Sequence, residues 1–418
     1  MGLFATTGAW MDHLSMTSAT TLSNNLVVQK YGGTSVGSIE RIKHVASHIA
    51  NTVRQGDRVV AVISAMGDQT DELLAMAHAI SQAPPRRELD MLLTSGERIS
   101  MALVTIALHE IGQKAVSLTG SQSGIITDTV HGNARISKIG PHRIEENLKH
   151  GNVVIVAGFQ GVSAESKEIT TLGRGGSDLS AIALAAALKA RSCQLYKDVE
   201  GVCSADPRVV TSPKILRALS WEAMTEMAWA GAAVLHPRGA HLAQKFAIPI
   251  EIRSSFHLDR PGTIVSGSQT MEKFVVQAIT HKASMALIRG TLSGGSQQIL
   301  DDLRTWLWQQ GESPQIQSQA VSSEGTDFFW SVPRALATHV TKKIEVAPGL
   351  VRGPELQECG IISVIGSGFW QSPETLAQVR NVISEPCFLD VKNNAITIAV
   401  KNDEVAKVVE GLHQALIA

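Results

Sequence analysis

Between residues 26 and about 255, short apolar runs alternate with longer stretches of mixed character. Residues 26–30, 59–64, 153–158 and 194–197 are apolar or β-branched for the most part, and each run ends near glycine or polar residues, as buried strands do. Residues 38–53, 71–79, 96–110 and 179–189 read as amphipathic or buried helices. Strands alternating with helices predict a mostly parallel sheet with helices on both faces. Ligands of such sheets bind at the carboxyl ends of the strands. Glycine-rich segments are expected at those ends, at Gly32-Gly33, at Gly67 and near Gly173.

The pattern changes at Arg260-Pro261-Gly262-Thr263, a plausible boundary. Beyond it, residues 274–289 give strands, Ser293-Gly294-Gly295-Ser296 a turn, 297–310 a helix, and the chain to Val332 strands again. A second stretch repeats the order: a strand over 360–365, a turn over 366–373, a helix over 374–382, strands near Phe388 and over 396–400, and a helix over 403–417. This is a weak internal repeat of β-α-β-β-α-β type.

A chain of 418 residues, 44% hydrophobic, is too long for one core, and two or three domains are expected. Its net charge of −1 gives no global basic field, which argues against nucleic acid or an anionic membrane as partner. A phosphorylated ligand must then be held by local groups. Cys193, Cys203, Cys359 and Cys387 show no metal-binding spacing and read as reduced thiols of a cytoplasmic protein, although Cys359 and Cys387 could in principle pair. No apolar stretch is read as approaching transmembrane length. Residues 1–25 lack the basic start and apolar core of a secretory signal and are expected to form a disordered tail; Met1–Thr6 fits only the short, common myristoylation pattern.

The most informative segment is Leu172-Gly173-Arg174-Gly175-Gly176-Ser177-Asp178. Glycines let the backbone approach a bound group, and a guanidinium suits two-pronged capture of a carboxylate or phosphate. An apolar helix follows, so the segment feeds a helix N-terminus, a natural anion site. Lys30-Tyr31-Gly32-Gly33-Thr34-Ser35 offers backbone N–H groups and a mobile point charge, the layout that neutralises a phosphoryl group in transfer. No Gly-x-x-x-x-Gly-Lys-Ser/Thr loop occurs. Ser64 and Thr70 bracket a third loop. Glu97, in Thr94-Ser95-Gly96-Glu97-Arg98, is expected in a first helical turn, where a carboxylate offsets the helix dipole. Asp198 and Asp206 are candidates for Mg²⁺ or ribose and Arg208 for a phosphate, with an Asp-Pro turn the plainer reading of the latter pair.

Together these segments resemble the aspartate kinase branch of the amino-acid kinase family over roughly residues 26–258. The resemblance extends to Gly158-Phe159, Asp198-Val199-Glu200-Gly201-Val202, Ala205-Asp206-Pro207-Arg208 and Val234-Leu235-His236-Pro237. It implies a three-layer αβα fold with a mostly parallel sheet over 26–260. Two α+β ACT-like (βαββαβ) domains would follow, over 270–340 and 341–418. The implied reaction moves the γ-phosphoryl group of ATP to the side-chain carboxylate of L-aspartate, with Mg²⁺ carried by the nucleotide and no resident metal site. By resemblance, Lys30, Arg174 and Asp178 are catalytic, and Ser64, Thr70, Glu97, Arg174 and Ser177 hold aspartate. Lys30, Gly32, Gly33, Tyr196, Lys197, Asp198, Asp206 and Arg208 would surround the nucleotide. A homodimer or higher homo-oligomer through the ACT-like domains is also implied.

The sequence departs from the family at two places. Most members read Gly-Ala-Lys-Val-Leu-His where this chain has Gly231-Ala232-Ala233-Val234-Leu235-His236, so a lysine toward ATP is absent. Lys197 stands where many members have threonine and is a candidate replacement charge. Ala233 also leaves open a second reading, a catalytically weak homologue that binds ligands or regulates a partner. The turns Ser293-Gly294-Gly295-Ser296 and Ser372-Pro373-Glu374 replace the usual Asp-x-Pro-Gly starts, so the repeats read equally as sensing or as dimerising modules.

Overall fold

The computed structural model describes residues 25–267, 276–293 and 298–417, apart from 311, 313, 315, 322 and 384. The expected tail up to residue 24, the start of the strand predicted from 274, and residues 294–296 of the predicted turn lie outside the described residues. The chain divides into two compact units. One runs to Gly201 and resumes over Arg238–Gly267; the other takes Val202–Pro237 and the remainder.

In chain order the elements are β1 (Leu26–Tyr31), α1 (Ile39–Arg54), β2 (Arg58–Ile63), α2 (Gln69–Ile80), α3 (Arg86–Glu110) and β3 (Ala115–Leu118). Next come β4 (Ile125–Thr127), β5 (Ile136–Ile139), α4 (His142–Lys149), β6 (Val153–Ala157), β7 (Gln160–Ser163), β8 (Ile169–Thr171), α5 (Gly176–Ala187) and β9 (Ser192–Lys197). There follow β10 (Val202–Cys203), β11 (Ile215–Leu216), β12 (Ala218–Ser220), α6 (Trp221–Trp229), α7 (Pro237–Lys245), β13 (Ile250–Ser254) and β14 (Thr263–Ser266).

The first unit is built on strands in the order β14-β13-β9-β1-β2-β6-β3. All pairs are parallel except β13 with β14. Every residue of β1 and of β6 is buried, and β6 is accordingly apolar throughout, since a parallel strand covered on both faces needs no polar side; β1 departs from this only at Gln29 and Lys30. Helix α1 packs Ile42, Val45, Ala46 and Ile49 into the core that Val27, Tyr31, Ala61, Ile63 and Ile155 share. Its start is capped by Ser38 Oγ, which accepts from Arg41 N at 3.3 Å. Helix α5 is apolar nearly all round and is buried from Gly176 to Ala185, as a central helix must be.

Three expectations need correction. Helix α3 begins at Arg86, ten residues before Gly96, so Glu97 lies in mid-helix and does not compensate a helix dipole. Gly96 is not a start signal; a Cβ there would come within 2.8 Å of Ala65 Cβ, so glycine is what lets α3 lie against the loop after β2. Helix α3 is also long and apolar enough by length and composition to cross a membrane. Here it packs on α1, β3, β6 and β8 and buries Asp90 and Glu97. Lastly, the Gly173 loop follows not a strand of the main sheet but β8, the end of a separate sheet ordered β5-β4-β7-β8.

In the second unit the elements continue as β15 (Val276–Leu292), α8 (Gln298–Gln309), β16 (Gln317–Val321), β17 (Thr326–Pro333), α9 (Arg334–Glu345) and β18 (Leu350–Gly366). The last are α10 (Pro373–Val382), β19 (Phe388–Val391), β20 (Ala395–Val400) and α11 (Val405–Leu416). One antiparallel sheet has the order β16-β17-β15-β18-β20-β19. Strands β15 and β18, each of 17 residues, pair along their length. The later half of β15 also pairs with β17, and the later half of β18 with β20. The two sequence repeats are therefore two halves of one sheet, each closed by part of the other's long strand. Helices α8 and α9 pack on Ile288, Phe328 and Trp330; α10 and α11 pack on Ile362, Ile396 and Ile398. All four cysteines are free thiols.

Candidate active site

The site lies at the carboxyl ends of β1, β2 and β9. Alternation along β1 sends Gln29 and Tyr31 to the α1 side and Lys30 to the α5 side. Lys197, at the end of β9, points the same way as Lys30. Their ammonium groups meet on one carboxylate: Lys30 Nζ lies 2.7 Å from Asp178 Oδ1, and Lys197 Nζ lies 2.7 Å from Asp178 Oδ2. Asp178 comes from the first turn of α5. Two ammonium groups against one carboxylate leave one net positive charge.

Burial works on Asp178 and Lys30 in opposite senses. Burial alone would raise the Asp178 carboxyl, but the Lys197 and Lys30 ammonium groups outweigh it and hold the group well below the usual carboxylate range. Burial pulls Lys30 below its ordinary value, with Lys197 adding to that and Asp178 opposing it. A buried cation with surplus charge beside it is a strong electrostatic partner for an incoming anion.

Three backbone segments close around these charges. A Cβ on Gly32 would sit 3.5 Å from Lys30 Nζ. A Cβ on Gly33 would meet Gly67 O at 2.9 Å and Ala65 O at 3.0 Å, and Gly67 N donates to Gly33 O at 3.0 Å. The loops after β1 and β2 are thus laid backbone on backbone, which side chains would prevent. A Cβ on Gly158 would come within 2.8 Å of Ser177 Cβ, so α5 starts against the end of β6.

On the α3 side, Ser100 Oγ donates to Ser64 O at 2.6 Å and Glu97 Oε1 accepts from Ala65 N at 3.3 Å. Glu97 is only 3% exposed, and its Oε2 has no hydrogen-bond partner. Burial pushes this carboxyl up to about 7, against the Ala65 N–H and the Lys30 charge, which lower it. Thr70 is half-buried in the first turn of α2. Arg174 is exposed, makes no ion pair or side-chain hydrogen bond among the described residues, and stands between Gly173 at φ +78° and Gly175 at φ +70°.

The remaining candidates fall elsewhere. The Tyr196 side chain is on the face opposite Lys197, stacked on Tyr31 at 4.9 Å and buried; only its carbonyl reaches the site, accepting from Gly32 N at 3.4 Å. Gln29 Nε2 donates to Gln194 Oε1 at 3.0 Å beneath the same strands, and Tyr31 Oη is 2.7 Å from His48 Nδ1. Burial lowers His48 to about 4, so its imidazole is neutral. Asp198 is exposed at the end of β9. Asp206 and Arg208 belong to the second unit, where they pair with each other at 2.7 Å while Ala205 and Val210 beside them pack into its core. Two buried groups of the site escaped the sequence reading: Ser35 Oγ and Gln69 Oε1, both without a partner. Nothing in composition marks them; only their placement next to Gly32-Gly33 and Gly96 does.

Buried cations and glycine cradles at the carboxyl ends of a parallel sheet, with a free guanidinium in the loop between β8 and α5, fit a phosphotransferase for small anionic substrates. The profile of the amino acid kinase family matches residues 25–254. The chain is 42% identical over 400 residues to the aspartokinase of Geobacillus stearothermophilus, spanning 93% of this chain and 97% of that one. It is 40% identical over 404 residues to the aspartokinase of Corynebacterium glutamicum, spanning 93% and 95%. Among solved structures, Escherichia coli aspartokinase III in complex with aspartate and ADP superposes with a TM-score of 0.80 at 21% identity, covering 94% of this chain and all of that one, a likeness of fold. This chain belongs to the amino acid kinase family, among its aspartokinases.

Proposed function

We propose that the protein transfers the γ-phosphoryl group of ATP to the side-chain carboxylate of L-aspartate, giving 4-phospho-L-aspartate and ADP. The observation that carries this reading is the Lys30–Asp178–Lys197 triad, with its surplus positive charge, beside Arg174 and the unpartnered Glu97 Oε2. Nucleophile and donor are both anions, and the triad and glycine loops offset their repulsion. Lys30 stabilises charge on the group in transfer, and Asp178 holds Lys30 in place. Arg174 takes the substrate's carboxylate in a two-pronged contact. Glu97 accepts from the α-ammonium, with Ser64, Thr70 and Ser177 about the rest of the molecule. A carboxylate oxygen forms the new O–P bond as the bond to the leaving ADP oxygen breaks. No proton moves, because the nucleophile is already ionised.

Gly32, Gly33, Lys197 and Asp198 are assigned to the nucleotide. We assign Mg²⁺ to the nucleotide, arriving bound to ATP, as the resemblance implies. The ion would screen the phosphates, with Asp198 the carboxylate nearest the end of β9. The Asp206 and Arg208 assignments rest on the resemblance alone. We also place the protein in the cytoplasm with these substrates, as a homodimer or higher homo-oligomer through the second unit, where β18 leaves Val351 and Leu356 exposed.

The Glu97 carboxyl gives a test by pH. Below about 7 it is neutral in the free protein and loses its charge for the substrate's ammonium; above, it is ionised. The kcat/KM for aspartate should therefore be flat above pH 7 and fall about tenfold per unit below it. Glu97→Gln should lower the plateau and remove the break. A pH profile with no break between 6 and 8, or a break that survives Glu97→Gln, contradicts this assignment.

Lys197 gives a second test. If it supplies the charge that Ala233 does not, Lys197→Thr forfeits a charge-assisted contact worth about 1.5–3 kcal/mol, a tenfold to hundredfold rise in ATP KM or fall in rate. Adding Ala233→Lys should restore much of it. An unchanged ATP KM in Lys197→Thr sinks the compensation.

A further inference from the structure

Helix α3 carries a second buried carboxylate. Asp90 lies seven residues before Glu97, two turns along, and so on the same side of the helix. It is 0% exposed and its acceptor capacity is filled. Thr171 Oγ1 donates to Oδ1 at 2.6 Å, His131 Nδ1 to Oδ2 at 2.7 Å, and Gly132 N to both oxygens at 3.1 and 3.2 Å. A lone buried carboxylate is costly, and these donors are what make it tolerable.

The donors share a location. Thr171 ends β8, three residues before Arg174. Gly132 belongs to the loop that backs Gly173: a Cβ on Gly173 would be 2.9 Å from Asn133 Oδ1 and 3.1 Å from Gly132 O. Ala134 N donates to Thr171 O at 2.8 Å. Arg238 completes the suture, donating through Nη1 to Asn133 Oδ1 at 2.9 Å and Leu172 O at 2.7 Å. Its Nη2 donates to Ala134 O at 2.7 Å. Residues 171–173 are held from several sides, while the Arg174 side chain beyond them is free to take a ligand.

We propose that Asp90 is a positioning residue for the amino-acid substrate. Through it, one rigid helix carries Glu97 directly and Arg174 at one remove, so the group that binds the ammonium and the group that binds the carboxylate keep the spacing of one amino acid. This rests on the roles given above to Glu97 and Arg174. Asp90 touches no substrate; it acts on the loop before Arg174.

Steady-state kinetics on the full chain test this. Misplacing the clamp by Asp90→Ala should lower kcat/KM for aspartate about tenfold to a hundredfold and leave the ATP KM unchanged. Asp90→Asn should recover most of that loss: its Oδ1 still accepts from Thr171 and Gly132, and its amide donates to the other His131 tautomer. Thr171→Val, which removes one hydrogen bond at constant shape, should give a smaller loss confined to aspartate, and it serves if Asp90→Ala does not fold. In an Arg174→Ala background, Asp90→Ala should cost aspartate little more. A loss that falls equally on ATP, or that adds in full to that of Arg174→Ala, overturns the proposal. If Arg174→Ala itself leaves aspartate kinetics unchanged, the clamp reading fails, and this proposal with it.

Discussion

Lys30→Met is expected to lower kcat by about 10²–10³-fold, the usual loss when a preorganised donor to a transition-state anion is removed. Both substrates' KM values should move far less, because the charge that Lys30 meets grows only during transfer. The structure says why this variant should fold. Asp178 keeps Lys197 at 2.7 Å, so the buried carboxylate does not lose its last cation. Asp178→Asn is the harsher change: it leaves two ammonium groups side by side around a neutral amide, and breaking a buried pair in that way costs about 3–5 kcal/mol. Measured kcat, KM and thermal midpoint separate the two variants. Lys30→Met with wild-type kcat would remove Lys30 from the chemistry.

Arg174→Ala is the second large effect, and it should appear in the other kinetic constant. Arg174 is exposed and without a partner among the described residues, so its loss should leave the thermal midpoint almost unchanged. It should reduce kcat/KM for aspartate by about 10²–10³-fold, from charge-assisted hydrogen bonds of about 1.5–3 kcal/mol each. The ATP KM should hold. Arg174→Lys should rescue poorly, since an ammonium is a point charge and cannot make the planar two-pronged contact. Full rescue by lysine would mean that Arg174 provides field, not geometry.

How much of this was legible in the chain depends on distance along it. Gly173 to Asp178 is contiguous, and its glycines, guanidinium and carboxylate announce an anion site before any helix. Lys30 is likewise readable from the glycines that follow it. That Lys30 and Lys197 share Asp178 is not readable, because the three come from β1, β9 and α5 and meet only when the parallel sheet places β9 beside β1. Glu97 was legible as a residue but not in its setting. The polar stretch Arg86-Arg87-Glu88 hides the true start of α3, and Gly96 imitates a start while serving close packing. Asp90 and His131 are 41 residues apart, each looks like a surface group, and only the fold makes them partners. The strands β4, β5, β7 and β8 are three or four residues long, too short to show a period of two. Beyond residue 276 the order of elements was readable except for α9 and the first half of β18, where nothing was expected. The sharing of β15 and β18 was not, since a strand's length does not say which neighbour takes which half.

The most direct measurement is hydroxylamine trapping of acyl phosphate by the purified protein with Mg-ATP and L-aspartate, beside Arg174→Ala. The account predicts aspartate-dependent hydroxamate from the wild-type chain and near-background signal from the variant at the same aspartate concentration. Absence of hydroxamate from folded wild-type protein that still binds ATP would contradict it, and would favour a ligand-binding homologue in which Ala233 marks the lost activity.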